Sequence, residues 1–163
     1  MKATALRVSI LLLLAVTTLH AQTGSRISME VFRGLEFRSI GPSLTTGRIS
    51  DLEIDPNNSN VWYLTVGSGG LWKTVNRGNT WVPIFDEYPS YSLGAVVVDP
   101  KDSNVVWLGT GENTHNRSTS WGDGVYKSTD AGATWHQVGL ADSQKIQKIL
   151  IDPRDSDVVY VAA

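Results

Sequence analysis

The sequence predicts an all-β protein of the β-propeller class, built from four-stranded antiparallel blades. Two hairpin signals recur along the chain at a spacing typical of blades. In addition, 15 glycines and six tryptophans suit tight turns around aromatic cores better than they suit helices. The chain has no cysteine, so we expect its stability to come from packing rather than from disulfides or thiolate metal sites.

The first hairpin signal is an Asp-Pro turn between two β-rich runs. It occurs three times, in residues 54–62, 98–106 and 151–159, and each copy contains the pattern Asp-Pro-x-x-Ser. The aspartate side chain can bond to its own backbone, and the proline presets the turn dihedral. Each copy therefore predicts a β-hairpin.

The second hairpin signal is a glycine-bearing turn in residues 70–81 and 124–135. The second copy contains Ser-x-Asp-x-Gly-x-Thr-Trp, the pattern of the Asp-box or BNR repeat, whereas the first copy has Asn76 at the aspartate position. Side-chain oxygens in such a turn satisfy backbone amides while the tryptophan packs under the hairpin, so we predict a structural role. The residues concerned are Ser128, Asp130, Gly132, Thr134 and Trp135 in the second copy and Asn76, Gly78 and Trp81 in the first.

The spacing of the hairpins predicts how many blades the chain holds. Asp55 and Asp99 are 44 residues apart, close to the ~40–45 residues of a propeller blade. We predict a propeller segment over residues 35–163, holding about two and a half blades: residues 47–84, 92–138 and an incomplete 145–163. Because a propeller closes with roughly four to eight blades, the remaining blades of a longer chain are expected partners.

The first residues have the features of an export signal. Lys2 and Arg7 precede an apolar run over residues 8–16, and Ala21 suits signal-peptidase cleavage. We predict a signal peptide over residues 1–21, a lead-in segment over 22–34, and a periplasmic, cell-surface or secreted protein. The apolar run is about half the ~20 residues that span a bilayer, so no transmembrane segment is predicted.

Charge and composition argue against two classes of ligand. The 14 basic residues are scattered among 16 acidic ones, for a net charge of -2, and no basic cluster suited to nucleic-acid phosphates remains. Zinc sites take three or four ligands, and one of the three histidines lies in the predicted signal peptide. We predict no metal, no cofactor and no nucleic-acid partner.

The topology of a four-stranded blade predicts where a site lies. Both kinds of turn fall on one face, so a site is expected on the other, with the linker 85–91, the short loop 67–70 and the loop 109–123. That last loop is ten residues longer than its counterpart in the first repeat. It combines a carboxylate, an imidazole, a guanidinium and an aromatic ring, a mix typical of carbohydrate or peptide recognition. The alternative is a solvated insertion without a ligand.

Candidate site residues follow from this placement. Glu112 with Asp86 or Glu87 is the candidate acid–base pair, because glycoside hydrolysis needs two carboxyls at a defined separation. The candidate ligand-binding residues on this face are Glu112, His115, Arg117, Trp121 and Tyr88.

Several segments resemble a group of large exported bacterial proteins with BNR repeats. The segments are residues 37–42, 47–49, 68–74, 109–113 and 122–128. Members of this group are often named glycosyl hydrolases and carry a domain similar to the sortilin/Vps10 N-terminal propeller. The resemblance covers the chain from about residue 34 to its end. It implies an exported recognition scaffold for a polysaccharide, a peptide or a protein.

The resemblance leaves an enzymatic alternative open. Family 74 glycoside hydrolases cleave xyloglucan-type β-glucans with paired aspartates, and residues 74–76 offer no acid where such an aspartate is expected in the first blade. Sialidases hold a sugar carboxylate with three arginines, and Arg38 is the candidate for one of them. A third hypothesis is an assembly factor similar to the photosystem II stability propellers. The main prediction is a recognition scaffold, with a glycoside hydrolase as the alternative.

Overall fold

The computed structural model describes residues 47–114 and 119–163, which form ten β-strands. Their bounds are β1 Ile49–Ile54, β2 Trp62–Val66, β3 Gly70–Thr74, β4 Val82–Pro83, β5 Leu93–Val98, β6 Val106–Thr110, β7 Val125–Ser128, β8 His136–Gly139, β9 Lys148–Asp152 and β10 Asp155–Ala162. Within these two ranges there is no helix that could cross a membrane. The predicted signal peptide, the lead-in segment and Arg38 lie outside the described residues.

The strands form three antiparallel sheets in which neighbours in sequence are neighbours in space. Strands β1 to β4 form one four-stranded sheet, which we call blade one, and β5 to β8 form blade two. Strands β9 and β10 pair as a third sheet. The prediction of an all-β fold of four-stranded antiparallel sheets is confirmed.

Blade two packs against a neighbouring sheet on each of its two faces, whereas within residues 47–114 and 119–163 blade one and the third sheet each pack against one neighbour. One apolar cluster joins blades one and two and includes Tyr63, Phe85, Leu108 and Trp135. A second cluster joins blade two to the third sheet and includes Ile146 and Ile149 from the third sheet's side. The hydrophobic core of the described residues is therefore made of interfaces between sheets.

The Asp-Pro turns close the β1–β2, β5–β6 and β9–β10 hairpins in the same way. In each, one aspartate oxygen accepts the backbone N–H of the residue two positions on, at 2.8 Å, 2.8 Å and 2.9 Å. The aspartates are Asp55, Asp99 and Asp152. This repeated bond explains why the same short pattern ends the same kind of strand three times.

The two glycine turns, between β3 and β4 and between β7 and β8, also share one geometry. Thr134 N donates to Asp130 Oδ1 at 2.8 Å, and Thr80 N donates to the Asn76 side-chain oxygen at 2.9 Å. Both turns hold a left-handed residue before the glycine, with φ of 57° at Ala131 and 56° at Arg77. The amide oxygen of Asn76 in the first turn thus accepts the same backbone hydrogen bond as the carboxylate of Asp130 in the second.

Backbone bonds place the two kinds of turn side by side. Arg77 N donates to Asn60 O at 3.0 Å in blade one, and Ala131 N donates to Asn104 O at 2.8 Å in blade two. We call the strand ends that carry these turns the turn face. The opposite strand ends, which carry the β2–β3 and β6–β7 loops, are the loop face.

Trp135 holds blade two against blade one. Its side chain is 3% exposed, its indole N–H donates to Ile84 O at 3.1 Å, and its ring meets Phe85 edge-on at 5.7 Å. Tyr88 completes the group: its ring stacks on Phe85 at 4.6 Å and its hydroxyl accepts the backbone N–H of Trp135 at 2.8 Å. The linker between the blades is therefore part of their common core.

We expect Trp135→Ala to lower the free energy of unfolding by about 3–5 kcal/mol, because it empties the centre of this interface. The equivalent Trp81 is half-buried and is the matched control, with Trp81→Ala expected to cost less than half as much. Denaturant unfolding of both variants checks this. Equal losses would contradict the assignment of Trp135 to the contact between blades.

The Asp130 carboxylate should make the second glycine turn sensitive to acid. Hydrogen bonds from the Thr134 hydroxyl and backbone, then from Ser128, lower the pKa of Asp130 to about 2. A lowered folded-state pKa means that the stabilisation is complete above the ordinary value of 3.8 and is lost as the pH falls through about 2. Because Asn76 already supports the same turn, Asp130→Asn should fold and lose this part of the pH dependence. Thermal unfolding between these pH values tests it, and an unchanged pH profile in Asp130→Asn would contradict it.

Candidate functional site

An ion pair between Arg48 and Glu112 is the centre of the loop face. Arg48 Nε donates to Glu112 Oε1 at 2.5 Å, and Arg48 Nη2 contacts the same oxygen. The Glu112 side chain is 1% exposed and the Arg48 side chain 50% exposed. Glu112 Oε2 is buried and has no hydrogen-bond partner in the part of the chain that the structure describes.

The loop between β2 and β3 lies directly against this carboxylate. A methyl group placed on Gly67 would lie 2.7 Å from Glu112 Oε1 and 2.8 Å from its carboxyl carbon, closer than real contacts allow. The side chain of Glu112 therefore fills the space that a larger residue at position 67 would need.

Hydrogen bonds around the ion pair tie blade one to blade two. Ser92 Oγ donates to Gly67 O at 2.7 Å. Asn113 Nδ2 donates to Ser50 O and to Gly94 O, each at 3.0 Å, and so bridges β1 and β5. The backbone around Glu112 is thus fixed relative to both blades.

The long β6–β7 loop is held from the third sheet's side by Lys145. Its ammonium donates to Thr114 O at 3.1 Å and to Thr119 Oγ1 at 2.7 Å, on the two sides of residues 115–118. Gly122 N donates to Gln144 O at 2.8 Å. The loop is therefore anchored at both ends.

A cleft of about 470 Å³ opens between this loop and the segment before β9. It is lined by Trp121, Ser143, Gln144, Lys145, Gln147 and Ala163. The Trp121 ring is 67% exposed. An exposed aromatic ring beside amide and ammonium groups is suited to a ligand with both apolar faces and hydroxyls.

The last residue of the loop, Asp123, supports the blade rather than the cleft. Its Oδ2 accepts the hydroxyl of Tyr126 at 2.6 Å. Burial raises the pKa of Tyr126, and the bond to Asp123 raises it further, so the phenol stays protonated as the donor.

The predicted site residues fall into three groups. Glu112 and Trp121 lie on the loop face, and so does Asp86, whose Oδ1 would lie 3.4 Å from a methyl group on Gly70. Glu112 and Asp86 thus approach the two ends of the same β2–β3 loop. Asp86 and Glu87 are both exposed, whereas Glu112 is buried. Tyr88 lies in the core between the blades. His115 and Arg117 are outside the described residues.

Sequence reasoning missed Arg48, Gly67 and Lys145 as parts of this site. Arg48 and Glu112 are 64 residues apart, so no local pattern predicts their contact. Gly67 is in a loop that the topology places on the correct face, but its close approach to Glu112 depends on how the blades pack.

Residues 74–76, which lack the acid expected of a family 74 enzyme, lie in the glycine turn and away from the candidate site. Thr74 Oγ1 donates to the Asn76 side chain at 2.9 Å and accepts Gly78 N at 3.0 Å within the glycine turn. This turn belongs to the turn face. The lack of an acid there therefore says nothing about catalysis on the loop face.

Metal chemistry has no visible site in residues 47–114 and 119–163. No group of three or more histidine, cysteine, aspartate or glutamate side chains there is arranged to hold an ion.

Among curated proteins, xyloglucanases from several organisms are similar in sequence to this chain. The chain is 23% identical over 128 residues to one from Acetivibrio thermocellus and 25% identical over 131 residues to one from Hypocrea jecorina. The alignments cover 71% and 72% of this chain. The chain is similar to xyloglucanases. It spans about 15% of the length of these relatives, and no protein-family model matches it.

Solved structures share the fold. An ancestral GH74 enzyme matches with a TM-score of 0.57 and 17% identity, covering 74% of this chain and 17% of that one. The GH74 enzyme of Niastella koreensis matches with a TM-score of 0.52 and 22% identity, covering 69% and 19%. Together with the two four-stranded sheets, these matches confirm that the chain holds part of a β-propeller.

We predict that Gly67→Ala lowers the free energy of unfolding by about 1–3 kcal/mol, because the new methyl group overlaps the Glu112 carboxylate. Removing that carboxylate should remove the conflict, so Gly67→Ala should cost little in a Glu112→Ala background. A double-mutant cycle by denaturant unfolding measures the coupling. Additive losses would contradict the packing of Glu112 on Gly67.

Proposed function

We propose that the protein acts on a xyloglucan-type polysaccharide, as a glycoside hydrolase whose propeller binds the glycan on the loop face. The observation that carries this proposal is the sequence similarity to xyloglucanases from separate organisms over 71–72% of the chain. The main prediction from sequence, a recognition scaffold without hydrolysis, has less support than the enzymatic alternative.

The geometry of the loop face is compatible with glycan binding. The exposed Trp121 ring offers a flat surface for a sugar ring, and Gln144 and Lys145 line the same cleft with groups that bond hydroxyls. The half-exposed Arg48 lies on the same face, held by Glu112. Because these groups are anchored to two blades and the third sheet, a ligand would meet a preformed surface.

The surroundings of Glu112 fit a structural role in the site better than a catalytic one. Glu112 is enclosed and bound to Arg48, which suits an anchor for the binding surface better than a group that exchanges protons with a substrate. Asp86, which is exposed and lies beside Gly70 at the end of the β2–β3 loop, is the better placed of the candidate carboxylates.

A recognition scaffold of the sortilin/Vps10 and BNR type remains the second candidate. The Ser-x-Asp-x-Gly-x-Thr-Trp turn supports the assignment of Asp-box repeats, and the enclosure of Glu112 favours binding over hydrolysis in the described residues. Under either proposal, the charged and apolar first residues support export through a signal peptide.

The complete protein should bind xyloglucan and release reducing sugar from it. Trp121→Ala should weaken xyloglucan binding about tenfold, equivalent to ~1.4 kcal/mol, because the stacking surface is lost. Isothermal titration and a reducing-sugar assay on the same preparations measure the two properties.

The matched control is Trp62→Ala, the same substitution on the turn face, where the indole N–H donates to Ser59 O at 2.8 Å. It should leave glycan binding unchanged. Binding without release would favour the recognition scaffold, and failure to bind any β-glucan would contradict the proposed function.

A further inference from the structure

The two partners of the Arg48–Glu112 ion pair lie in different environments. The Glu112 side chain is buried, and a methyl group on Gly67 would lie 2.7 Å from its Oε1, so the carboxylate has no room to turn away from the arginine. The Arg48 side chain, in contrast, is half-exposed. The negative charge of the pair is therefore fixed inside the protein, and the positive charge reaches solvent on the loop face.

The hydrogen bonds of the pair leave part of each group unused. Arg48 Nε donates to Glu112 Oε1 at 2.5 Å, and Arg48 Nη2 contacts the same oxygen. Arg48 Nη1 makes no hydrogen bond to residues 47–114 or 119–163, and buried Glu112 Oε2 accepts none from them. Arg48 therefore keeps N–H donors for a ligand, while a single carboxylate balances its charge.

Backbone bonds hold the ion pair close to the exposed Trp121. Gly67 N donates to Arg48 O at 2.8 Å, which fixes the arginine against the β2–β3 loop. Glu112 N donates to Ser120 O at 3.2 Å, and Ser120 immediately precedes Trp121. Arg48 and Trp121 are thus connected through Glu112, and an extended ligand can contact both.

A guanidinium whose charge is balanced in this way discriminates between ligands by their charge. Its N–H groups donate to the hydroxyls of a neutral sugar. A carboxylate on the ligand gains little Coulomb energy, because the buried Glu112 charge behind the guanidinium repels it and is weakly screened. The exposed Asp86 and Glu87 add negative charge to the linker. Lys145 already donates to two oxygens of the β6–β7 loop.

We propose that Arg48 contacts the glycan and that Glu112 is a positioning residue that makes this contact selective for neutral over anionic sugars. Arg48 supplies fixed N–H donors to sugar hydroxyls, and Glu112 holds the guanidinium and balances its charge. The ligand class is accordingly a polysaccharide that places no uronic acid beside Arg48. This inference rests on the proposed function, since it requires a glycan on the loop face.

A matched pair of ligands tests the proposal on the complete protein. The first is a xyloglucan oligosaccharide, and the second is the same oligosaccharide with its primary hydroxyls oxidised to carboxylates. Isothermal titration measures both dissociation constants, and the wild-type protein should bind the neutral form more tightly. Glu112→Gln keeps the shape of the side chain and removes its charge. It should therefore shift the ratio of the two dissociation constants about tenfold in favour of the oxidised form.

The salt dependence of binding provides a second measurement, which needs no variant of Glu112. Attraction between an exposed unbalanced guanidinium and a carboxylate weakens as salt rises from about 0.05 M to about 0.5 M. Because Glu112 balances Arg48, wild-type binding of the oxidised oligosaccharide should not weaken over this range. The affinity gained in Glu112→Gln should be lost over the same range.

Asp102→Asn is the matched control, because it changes the net charge by the same amount on the turn face. Asp102 is exposed, and its Oδ1 accepts Asn104 N at 2.9 Å, a bond that an amide oxygen can keep. The ratio of the two dissociation constants should be unchanged in this variant.

The double variant Arg48→Gln/Glu112→Gln tests the contact with Arg48 without leaving a buried charge unpaired. It should return the ratio of dissociation constants to near its wild-type value. It should also weaken binding of the neutral oligosaccharide several-fold, because the guanidinium donors are lost. Thermal unfolding checks that each variant is folded.

The outcomes separate this inference from the proposed function. A wild-type protein that binds no neutral oligosaccharide would overturn both. Where the wild type binds, an unchanged ratio in Glu112→Gln, an equal shift in Asp102→Asn, or wild-type binding of the oxidised form that weakens with salt would overturn the role of Glu112. Undiminished binding of the neutral form by the double variant would overturn the contact with Arg48.

Discussion

The covering of each sheet by the next is the constraint on which the rest of the structure depends. Blade two has neighbours on both sides, and its first strand, β5, is buried along nearly its whole length. The equivalent strand β1 of blade one has mostly exposed or half-buried residues. The two strands have the same role in their hairpins, so the difference comes from the neighbour. Apolar area is removed from water mainly where two sheets meet.

The turn face and the loop face have different roles, the first in folding and the second in binding. On the turn face, serine, threonine and aspartate side chains satisfy backbone amides and join successive turns, so their polar groups are used for folding. On the loop face, the β6–β7 loop is held at its ends by Lys145 and Asn113, which leaves the exposed Trp121 available. A rigid scaffold with a variable loop is where binding residues are expected.

Much of the fold was predictable because its signals are local. An Asp-Pro turn bonds within three residues, and Asp130 and Asn76 bond within four, so short patterns suffice to place the hairpins. The site was less predictable because it depends on distant contacts. Tyr88 looks like a ligand-binding residue in an acidic linker, but it packs on Phe85 in the core.

Hydrogen exchange of the complete protein with and without a xyloglucan oligosaccharide tests whether the glycan binds the loop face. Binding on the loop face should add protection to backbone amides in the β2–β3 loop and the β6–β7 loop and leave the Asp-Pro and glycine turns unchanged. Protection confined to the turn face, or none in these loops at a saturating ligand concentration, would contradict it.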